Sequence, residues 1–489
     1  MINISGHKRD KYERNERLER HEEFDTQALS YAAFSAEDST QEVALYHKHV
    51  AEKLLGFQKI LGESGYDELL IASGDYKMHF QDDLFYPFKA NPYFREWTPL
   101  NKRTGSYIHF TKNSIKPRLF LLCAEDIWHT ARQSLPKGFD AACDIVEYLE
   151  LNDVTESLTE KNLCSGAVAM ISEVNTLNVP SASFNPQALL NRIDYQRCAK
   201  TAYEQHCVRQ ANRLAAPAHA AAYQTFMTGA SEQAICAAYY QASHTSENEM
   251  PYSVIAGVNE HAAVLHHYNL DKQAVTPRSF LIDAGIDYHG YASDITRTYA
   301  YNNQSAFADM IRLMDQKQLE LVAAGGLGKG PIDIHELYRE KMAEILVAFN
   351  LLTVSVEHAL ESNIVDVFMP HGLGHHLGSN VHDKGGQFAN AQGDLNQPSE
   401  KYPGLRRNVG PMRAHQIYTV EPGLYFIPTR LQACSKGELS GHVQWSEVEK
   451  MIPYGGIRIE DNIILHADGH LENLTRDAFA DYAKYSAVP

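Results

Sequence analysis

The sequence lacks any run of about eighteen or more apolar residues, the length at which a helix becomes a candidate for spanning a membrane. Its first residues are dense in charge of both signs and contain no apolar segment of the kind that signal peptides require. The seven cysteines are odd in number, scattered and never spaced as Cys-x-x-Cys, which excludes both a disulfide framework and a zinc ribbon. These absences predict a cytoplasmic protein with reduced cysteines and no membrane partner.

Positive charge is also in short supply. The 44 lysines and arginines against 61 aspartates and glutamates leave a formal net charge of −17, which argues against nucleic acid as a partner. The glycine-rich segment GGLGKG at 325–330 is not a phosphate-binding loop, because it follows a helical pattern and its Lys329 precedes glycine instead of serine or threonine. Neither nucleic-acid binding nor a P-loop activity is therefore predicted.

The remaining composition is that of a globular chain with room for two domains. Hydrophobic residues make up 44% of the 489 residues. Residues 1–30 are predicted as a charged, helical extension. In 31–185, helical patterns alternate with short apolar runs such as ELLIAS and RLFLLC, which predicts a smaller α/β domain with a mixed sheet. In 186–489, long helices with a predicted break at Pro217, followed by short strands, predict an α+β domain in which helices cover a curved antiparallel sheet.

Ionisable residues lie beside apolar segments at five places in the second domain. They are Asp283 and Asp294 in LIDAGIDYHGYASDITRTY, His375 in MPHGLGHHLG, Glu421 in TVEPGLY and Glu460 in GGIRIEDN. An ionised group in apolar surroundings is costly unless an opposite charge compensates it. Five such groups in one domain predict a shared positive centre, and a pair of divalent metal ions would supply it.

The two aspartates are eleven residues apart, which would be roughly 36 Å along a straight strand. A two-residue turn at His289-Gly290 would bring them together, because residues then pair when their numbers sum to 579. Asp294 then faces Gly285, and Asp283 becomes its diagonal neighbour on the same face of the sheet, roughly 7–8 Å away at the backbone. Carboxylates placed in this way can hold two ions about 3.5–4 Å apart. The alternative is a pair of exposed acids on a hairpin.

Further candidates lie in two short motifs. HGLGHHLGSNVHD places His371, His375 and His382 in one stretch, where glycines let the backbone pass close to a site. It lacks the glutamate of a helical His-Glu-x-x-His zinc motif, and histidines that do not bind metal are predicted to contact substrate or transfer protons. Arg458 and Glu460 share one face of a strand, where the arginine is predicted to orient the glutamate; a surface ion pair is the alternative.

The chemistry of the donor atoms limits the metal. Four carboxylates and one imidazole form a hard donor set, which favours Mn²⁺ over an ion that prefers thiolate, with Co²⁺, Fe²⁺ and Zn²⁺ as alternatives. Two such ions lower the pKa of water held between them and supply hydroxide at neutral pH. The predicted chemistry is hydrolysis of an amide, ester or phosphoester.

Taken in order, these motifs resemble a known family. The set LIDAG…SDITRT, MPHGLGHHLG…VHD, TVEPGLYF and GGIRIEDN is similar to the pita-bread metallopeptidases, and within them to the bacterial Xaa-Pro dipeptidases (prolidases), which include the organophosphorus acid anhydrolases. The resemblance extends over roughly residues 40–480 and includes YPFKANPYF and PYSVIAGVNEHAAVLH. It implies a creatinase-like N-terminal domain followed by a pita-bread catalytic domain, with two divalent metal ions per subunit.

The resemblance implies a role for each of the five predicted ligands. Asp283 would bind one metal ion, and His375 and Glu421 would bind the other. Asp294 and Glu460 would bridge the two ions. Glu421 would also move a proton between the attacking water and the leaving amine.

Five further residues match family positions that meet the substrate or lie behind it. His371 and His382 would contact the substrate and stabilise the charge that develops in the transition state. Tyr252, His266 and Arg458 match positions in the substrate pocket or behind the metal ligands.

The chain departs from the family pattern in two places. Relatives often have LHY where this chain has Leu265-His266-His267, so an aromatic residue beside the pocket is replaced. The YPFK motif follows DDLF instead of DDHP, which is similar to the organophosphate-hydrolysing branch. In that branch an acid from the neighbouring subunit's N-terminal domain closes the site, and Asp82 or Asp83 is the candidate.

The predicted function is cleavage of dipeptides with a C-terminal proline by a homodimer or a dimer of dimers. Hydrolysis of organophosphorus triesters or fluorophosphates is a predicted side activity. The alternatives are a primary organophosphorus acid anhydrolase and an aminopeptidase P that acts on longer peptides. A non-catalytic pita-bread protein that binds peptides is the alternative outside enzymes, but it predicts eroded ligands, and all five are present.

Overall fold

A computed structural model describes residues 36–123, 133–150 and 166–485, apart from 175, 176, 178, 180, 181, 403, 404 and 406, together with 153, 154, 156 and 158. The predicted charged extension at 1–30 lies outside the described residues. Within them, no helix is both long and apolar enough to cross a membrane.

Six strands in the first part of the chain form one mixed sheet. They are β1 (Glu68–Ala72), β2 (Tyr107–Thr111), β3 (Arg118–Leu122), β4 (Asp144–Tyr148), β5 (Val168–Ile171) and β6 (Ser183–Phe184). Their order is β4-β3-β2-β1-β5-β6, and β2 is antiparallel to both of its neighbours whereas the other pairs are parallel. The predicted α/β domain with a mixed sheet is confirmed.

Helices cover this sheet and form the framework of the second domain. They are α1 (Ala36–Ser64), α2 (Pro92–Arg95), α3 (Gln187–Arg197), α4 (Ala202–Met227), α5 (Glu232–Ser243), α6 (Ala306–Ala324), α7 (Pro331–Ala348), α8 (Val356–Glu361), α9 (Pro428–Ser435), α10 (Trp445–Met451) and α11 (Leu474–Tyr485). α1 buries Phe57 in the first domain, where it packs edge-on against Trp97 with ring centroids 5.1 Å apart. α4 packs along α5 and α11.

The predicted break at Pro217 is wrong, because α4 continues through this residue. The break falls earlier, between α3 and α4, where Thr201 and Glu204 form a capping box with reciprocal side-chain to backbone hydrogen bonds. A proline inside a helix costs about 3 kcal/mol. Burial of Pro217 and of the apolar face of α4 against its neighbours offsets that cost.

Short antiparallel strands make up the sheet of the second domain. They are β7 (Ile255–Val258), β8 (Ser279–Asp283), β9 (Asp287–Tyr288), β10 (Tyr291–Ala292), β11 (Thr296–Ala300), β12 (Gln416–Val420), β13 (Gly423–Tyr425), β14 (Gly456–Arg458), β15 (Asp461–Leu465) and β16 (Leu471–Asn473). They pair in the orders β11-β8-β7, β12-β15-β16, β10-β9 and β13-β14. An antiparallel bridge between Thr296 and Glu460 connects the first of these groups to the chain that precedes β15. The predicted α+β domain with an antiparallel sheet is confirmed.

The hairpin between β8 and β11 has the predicted register. β9 and β10 pair Tyr288 with Tyr291, and β8 and β11 pair Asp283 with Thr296, so both pairs sum to 579. The two turn residues have positive φ angles of 51° and 91°, as the two-residue turn of a tight hairpin requires. The turn therefore sets the positions of the acids on both of its arms.

Candidate metal centre

Four of the five predicted ligands lie at or next to the ends of these short strands, and the fifth lies in a loop. Asp283 ends β8, Asp294 precedes β11, Glu421 follows β12 and Glu460 precedes β15, while His375 lies in the loop before β12. One ligand atom each of Asp294, His375 and Glu460 lies within 4.8 Å of the other two. The structure therefore brings together, in three dimensions, residues that are separated by up to 166 positions in the chain.

The other two acids lie next to this group of three. His375 Nε2 is 3.4 Å from Asp294 Oδ2 and 3.7 Å from Glu421 Oε1. The Tyr252 hydroxyl lies 2.8 Å from Asp283 Oδ1 and 2.6 Å from Asp294 Oδ1, and can donate its hydrogen to either carboxylate. Tyr252 therefore connects the two aspartates of the hairpin.

Hydrogen bonds from neighbouring strands orient the acids. The Asp294 backbone N–H donates to Asn462 Oδ1 at 3.0 Å, and Asn462 Nδ2 donates back to the Asp294 carbonyl at 2.5 Å. The Thr296 hydroxyl donates to Glu460 Oε2 at 2.7 Å. His375 Nδ1 lies 3.0 Å from the His376 carbonyl, a partner that holds the hydrogen on Nδ1 and directs Nε2 toward the acids.

Arg458 contributes a positive charge through three different contacts. Its Nη2 donates to Asp283 Oδ2 at 2.6 Å, its Nη1 to the Tyr425 hydroxyl at 2.8 Å, and its Nε to Thr296 Oγ1 at 3.1 Å. Arg458 thus forms its ion pair with Asp283. It orients Glu460 indirectly, because the Thr296 hydroxyl accepts a hydrogen bond from Arg458 and donates one to Glu460. Thr296 can make this contact because it forms an antiparallel bridge with Glu460.

The electrostatics of the cluster indicate a deficit of positive charge. Burial raises the pKa of Glu460 well above its usual range, and the negative charges of Asp294, Glu421 and Asp283 raise it further. Burial also raises the pKa of Glu421 to about 7, although His375 and Arg458 act in the opposite direction. Four carboxylates lie close together here, and His375 and Arg458 are the cationic groups that act on them. Divalent cations would supply the missing positive charge and lower the pKa values of Glu421 and Glu460 again.

Two family models match the chain and together cover most of it. The model described as metallopeptidase family M24 matches residues 206–467, and the model described as the N-terminal domain of Xaa-Pro dipeptidase matches residues 44–195. The chain belongs to metallopeptidase family M24. The predicted resemblance to the Xaa-Pro dipeptidases and the prediction of an enzyme of this family are thereby confirmed.

Similar proteins extend over nearly the same length. The Xaa-Pro dipeptidase of Pseudoalteromonas translucida is 39% identical over 444 residues, which cover 89% of this chain and 99% of that protein. The Xaa-Pro dipeptidase of Serratia proteamaculans is 36% identical over 438 residues, with 89% and 98% covered.

Solved structures of aminopeptidases share the fold of this chain. Proline aminopeptidase P II from Yersinia pestis has a TM-score of 0.62 at 20% identity, and the match covers 91% of this chain and 100% of that one. Aminopeptidase PepP from Pseudomonas aeruginosa has a TM-score of 0.65 at 18% identity, with 89% and 97% covered. The predicted creatinase-like and pita-bread domains of this M24 metallopeptidase are confirmed.

The histidines predicted to meet substrate occupy two different environments in this M24 metallopeptidase. His371 Nδ1 lies 2.8 Å from the Gly372 carbonyl, and its Nε2 accepts from the Tyr425 hydroxyl at 2.7 Å. Burial lowers the pKa of His371 to about 4, and the charge of Arg458 lowers it further, so the ring is neutral near pH 7. His382 is exposed, with its ring edge-on to His375 at a centroid distance of 4.5 Å.

The two places where the chain departs from the family pattern, around His266-His267 and at Asp82-Asp83, lie in different parts of the molecule. His266 is exposed and lies within electrostatic range of His382, whereas His267 next to it is buried against Glu232. The His267 side chain thus points into the domain, and the predicted loss of an aromatic residue from beside the pocket stays a prediction. Asp82 and Asp83 lie on an exposed hairpin of the first domain, closed by a bridge between residues 78 and 85.

Three residues that hold the cluster together were missed from the sequence. Thr296 could have been found, because it is the partner of Asp283 in the register that sums to 579. No local sequence pattern pointed to Tyr425 or Asn462. Asn462 acts on backbone atoms of Asp294, and it is held in turn by Asn212 of α4, whose Nδ2 donates to Asn462 Oδ1 at 3.1 Å. Such contacts depend on tertiary packing and have no local pattern.

Proposed function

We propose that this M24 metallopeptidase is an Xaa-Pro dipeptidase that holds two divalent metal ions at the cluster. The observation that carries the proposal is the convergence of Asp294, His375 and Glu460 within 4.8 Å, with Asp283 and Glu421 beside them. The full-length similarity to proteins named Xaa-Pro dipeptidase supports the substrate class. The hard donor set favours Mn²⁺, with Co²⁺, Zn²⁺ and Fe²⁺ as alternatives.

We assign the five ligands as the family resemblance implies. Asp283 would hold one ion, His375 and Glu421 the other, and Asp294 and Glu460 both. When bound, the ions would polarise the scissile carbonyl and lower the pKa of water, so that hydrolysis proceeds at neutral pH. The hydrogen bond from His375 Nδ1 to a backbone carbonyl supports this assignment, because it leaves Nε2 with a lone pair facing the acids.

Glu421 would move the proton. Its carboxylate would take a proton from the attacking water and deliver it to the proline nitrogen, which must be protonated before it can leave. The carboxylate is 18% exposed, so it can meet both water and substrate. His371 lies 3.8 Å from Glu421 through Nδ1, and its Nε2 accepts from the Tyr425 hydroxyl, which Arg458 contacts in turn. To stabilise the charge that develops on the substrate oxygen, the Nδ1–H of His371 would have to leave the Gly372 carbonyl and donate to that oxygen.

The Arg407 guanidinium and the ring N–H groups of nearby histidines, at the exposed side of the cluster, would recognise the free carboxylate of a dipeptide. His382 is exposed there and lies within electrostatic range of both His266 and Arg407. Tyr252 would border the same pocket from the side of the aspartate hairpin. A carboxylate directly after proline would meet these groups, whereas a longer peptide would carry its carboxylate past them.

A peptide panel tests the substrate class. Metal-stripped protein refilled with Mn²⁺ is expected to hydrolyse Gly-Pro and Leu-Pro, and to hydrolyse Leu-Pro amide and Leu-Pro-Ala at least about tenfold more slowly, because these lack the carboxylate after proline. The measurement is kcat/KM for each peptide. Leu-Ala is the control for the requirement for proline.

Other outcomes of the panel point to the alternative functions. Comparable rates on Leu-Pro and Leu-Pro-Ala would indicate an aminopeptidase P. A fluorophosphate ester belongs in the same panel, since hydrolysis of organophosphorus compounds is the proposed side activity. A higher kcat/KM on the fluorophosphate than on every dipeptide would indicate a primary organophosphorus acid anhydrolase.

The cytoplasmic location stays a prediction, as do the domain boundaries at 30 and 185.

We further propose that the chain forms a homodimer through the hairpin at 76–86, with a dimer of dimers as the larger alternative. The hairpin exposes apolar side chains, among them Phe80 at 88%, Leu84 at 63% and Met78 at 54%. Clustered exposed apolar side chains of this kind mark protein interfaces. Asp82 and Asp83 lie at the tip of the hairpin, where a neighbouring copy would receive them.

Replacement of both Phe80 and Leu84 by serine is expected to halve the mass of the assembly. The measurement is light scattering after gel filtration, against the chain mass of 55.0 kDa. Ile115→Ser is the matched control, because Ile115 is 94% exposed but lies at the turn between β2 and β3. An unchanged mass in the double variant would place the interface elsewhere.

A further inference from the structure

A second group of ligand-type side chains surrounds the start of α5. Glu232, the first residue of this helix, is buried, and its Oε1 lies 2.9 Å from His261 Nδ1 while its Oε2 lies 2.8 Å from His267 Nε2. One ligand atom from each of these three residues lies within 4.8 Å of the other two. Asp271 Oδ2 is 3.9 Å from His261 Nδ1. None of the five proposed catalytic ligands belongs to this group.

We propose that Glu232, His261 and His267, with Asp271 at the open side, form a separate site for a zinc-type divalent cation. Two imidazoles and two carboxylates make a softer donor set than the four carboxylates and one imidazole of the catalytic cluster. Such a set suits Zn²⁺, Co²⁺ or Ni²⁺ better than Mn²⁺. The two sites would therefore differ in the metal that they prefer.

The Glu232 carboxylate is already oriented for this role. The backbone N–H of Val258 donates to Oε1 and that of Asp271 donates to Oε2, both at 2.8 Å. Each oxygen keeps a second lone pair, and these lone pairs face the two histidines. Backbone donors that fix a carboxylate in this way are the usual support of a metal ligand.

Both histidines must change their hydrogen-bonded state before a cation can bind between them and Glu232. Each ring nitrogen nearest Glu232 is within hydrogen-bond distance of the carboxylate and would have to present a lone pair to the cation. A neutral imidazole does so when its hydrogen moves to the other ring nitrogen, through exchange with water. His261 is partly exposed, with 35% of its side chain accessible, so this exchange is open to solvent.

The site is closed on one side and open on the other. His267 and Glu232 are buried, whereas a cavity of about 300 Å³ borders Glu232, His261 and Asp271. A cation held there could complete its coordination with water from the cavity. Three protein ligands and an open position are a common arrangement for zinc.

The location of the site connects it to the substrate pocket. His261 and His267 flank the segment that carries exposed His266, so a cation would tie both ends of that segment to Glu232 at the start of α5.

Zinc content and zinc position test the proposal. Protein saturated with Zn²⁺ and freed of excess ion is expected to retain one more Zn²⁺ per chain than the variants His267→Tyr and His261→Gln, which would bind that ion at least about tenfold more weakly. In crystals of the unmodified protein, anomalous scattering at the zinc edge is expected to show an ion between Glu232 and the two histidines. His470→Gln is the matched control, since His470 is exposed and lies outside the group.

Equal zinc content in all four proteins, or crystals with no anomalous peak beside Glu232, would overturn the proposal. The crystal experiment needs no variant, so it decides the matter even if His267→Tyr fails to fold. Neither readout depends on turnover. A failure here would leave the dipeptidase proposal standing, and a failure of the peptide panel would leave this site standing.

Discussion

Asp294→Asn is expected to remove the bound metal and to lower kcat/KM on Leu-Pro by more than about 100-fold. Loss of a residue that only supports a metal ligand costs about 10- to 100-fold, and Asp294 is proposed to contact both ions directly. Its carboxylate lies beside His375 and shares the Tyr252 hydroxyl with Asp283. An amide supplies one neutral oxygen where the site needs an anionic bridge.

The variant should fold normally, because Asn462 binds the backbone of residue 294 and not its side chain. Metal content by elemental analysis and kcat/KM are the two measurements. Asp309→Asn is the control, since this acid is exposed on α6 and pairs with Arg312. Normal metal content and turnover in Asp294→Asn would remove Asp294 from the metal centre.

Arg197→Met is expected to lower the free energy of unfolding by about 3–5 kcal/mol, the cost of removing one partner from a buried ion pair. Arg197 is buried, with Nε 2.6 Å from Glu96 Oε1 and Nη2 3.0 Å from Asp383 Oδ1. Glu96 lies in the first domain, and Asp383 directly follows His382, which we propose to border the substrate pocket. The arginine therefore joins the two domains at the back of the proposed site.

The pKa of Asp383 supports the strength of this network. Burial alone would raise the pKa of Asp383, but Arg197 and Lys200 attract the carboxylate and bring its pKa to about 2. Without the guanidinium, the carboxylates of Glu96 and Asp383 would stay buried with lysines as their remaining cationic partners.

Denaturant unfolding of the metal-free protein measures the effect of Arg197→Met. Arg312→Met is the matched control, because it breaks an exposed pair with Asp309 and should change stability by less than about 1 kcal/mol. Equal stabilities of Arg197→Met and Arg312→Met would show that the buried network adds nothing.

Local patterns predicted those parts of the centre that depend on neighbouring residues in the chain. The His289-Gly290 turn was sufficient to give the register that places Asp283 and Asp294 together, because a hairpin register follows from its turn. Acidic residues beside apolar strands predicted a buried cluster, because burial of an uncompensated charge is costly. The structure brings these acids together as that reasoning requires.

Contacts between distant elements could not be predicted in the same way. Packing against α5 and α11 decided that α4 continues through Pro217. Arg458 pairs with Asp283 because of how β14 lies against β11. The His267 side chain points inward because it meets the buried carboxylate of Glu232. These features depend on residues far away in the chain, and the sequence around each position carries no sign of them.

Stepwise addition of Mn²⁺ to metal-free protein, with Leu-Pro hydrolysis followed at each step, tests the central claim most directly. The proposed centre predicts no hydrolysis without metal and a maximal rate at two equivalents of Mn²⁺ per chain. Full hydrolysis by the metal-free protein, or a rate that does not respond to Mn²⁺, Co²⁺, Zn²⁺ or Fe²⁺, would contradict a dinuclear metallopeptidase centre at Asp294, His375 and Glu460.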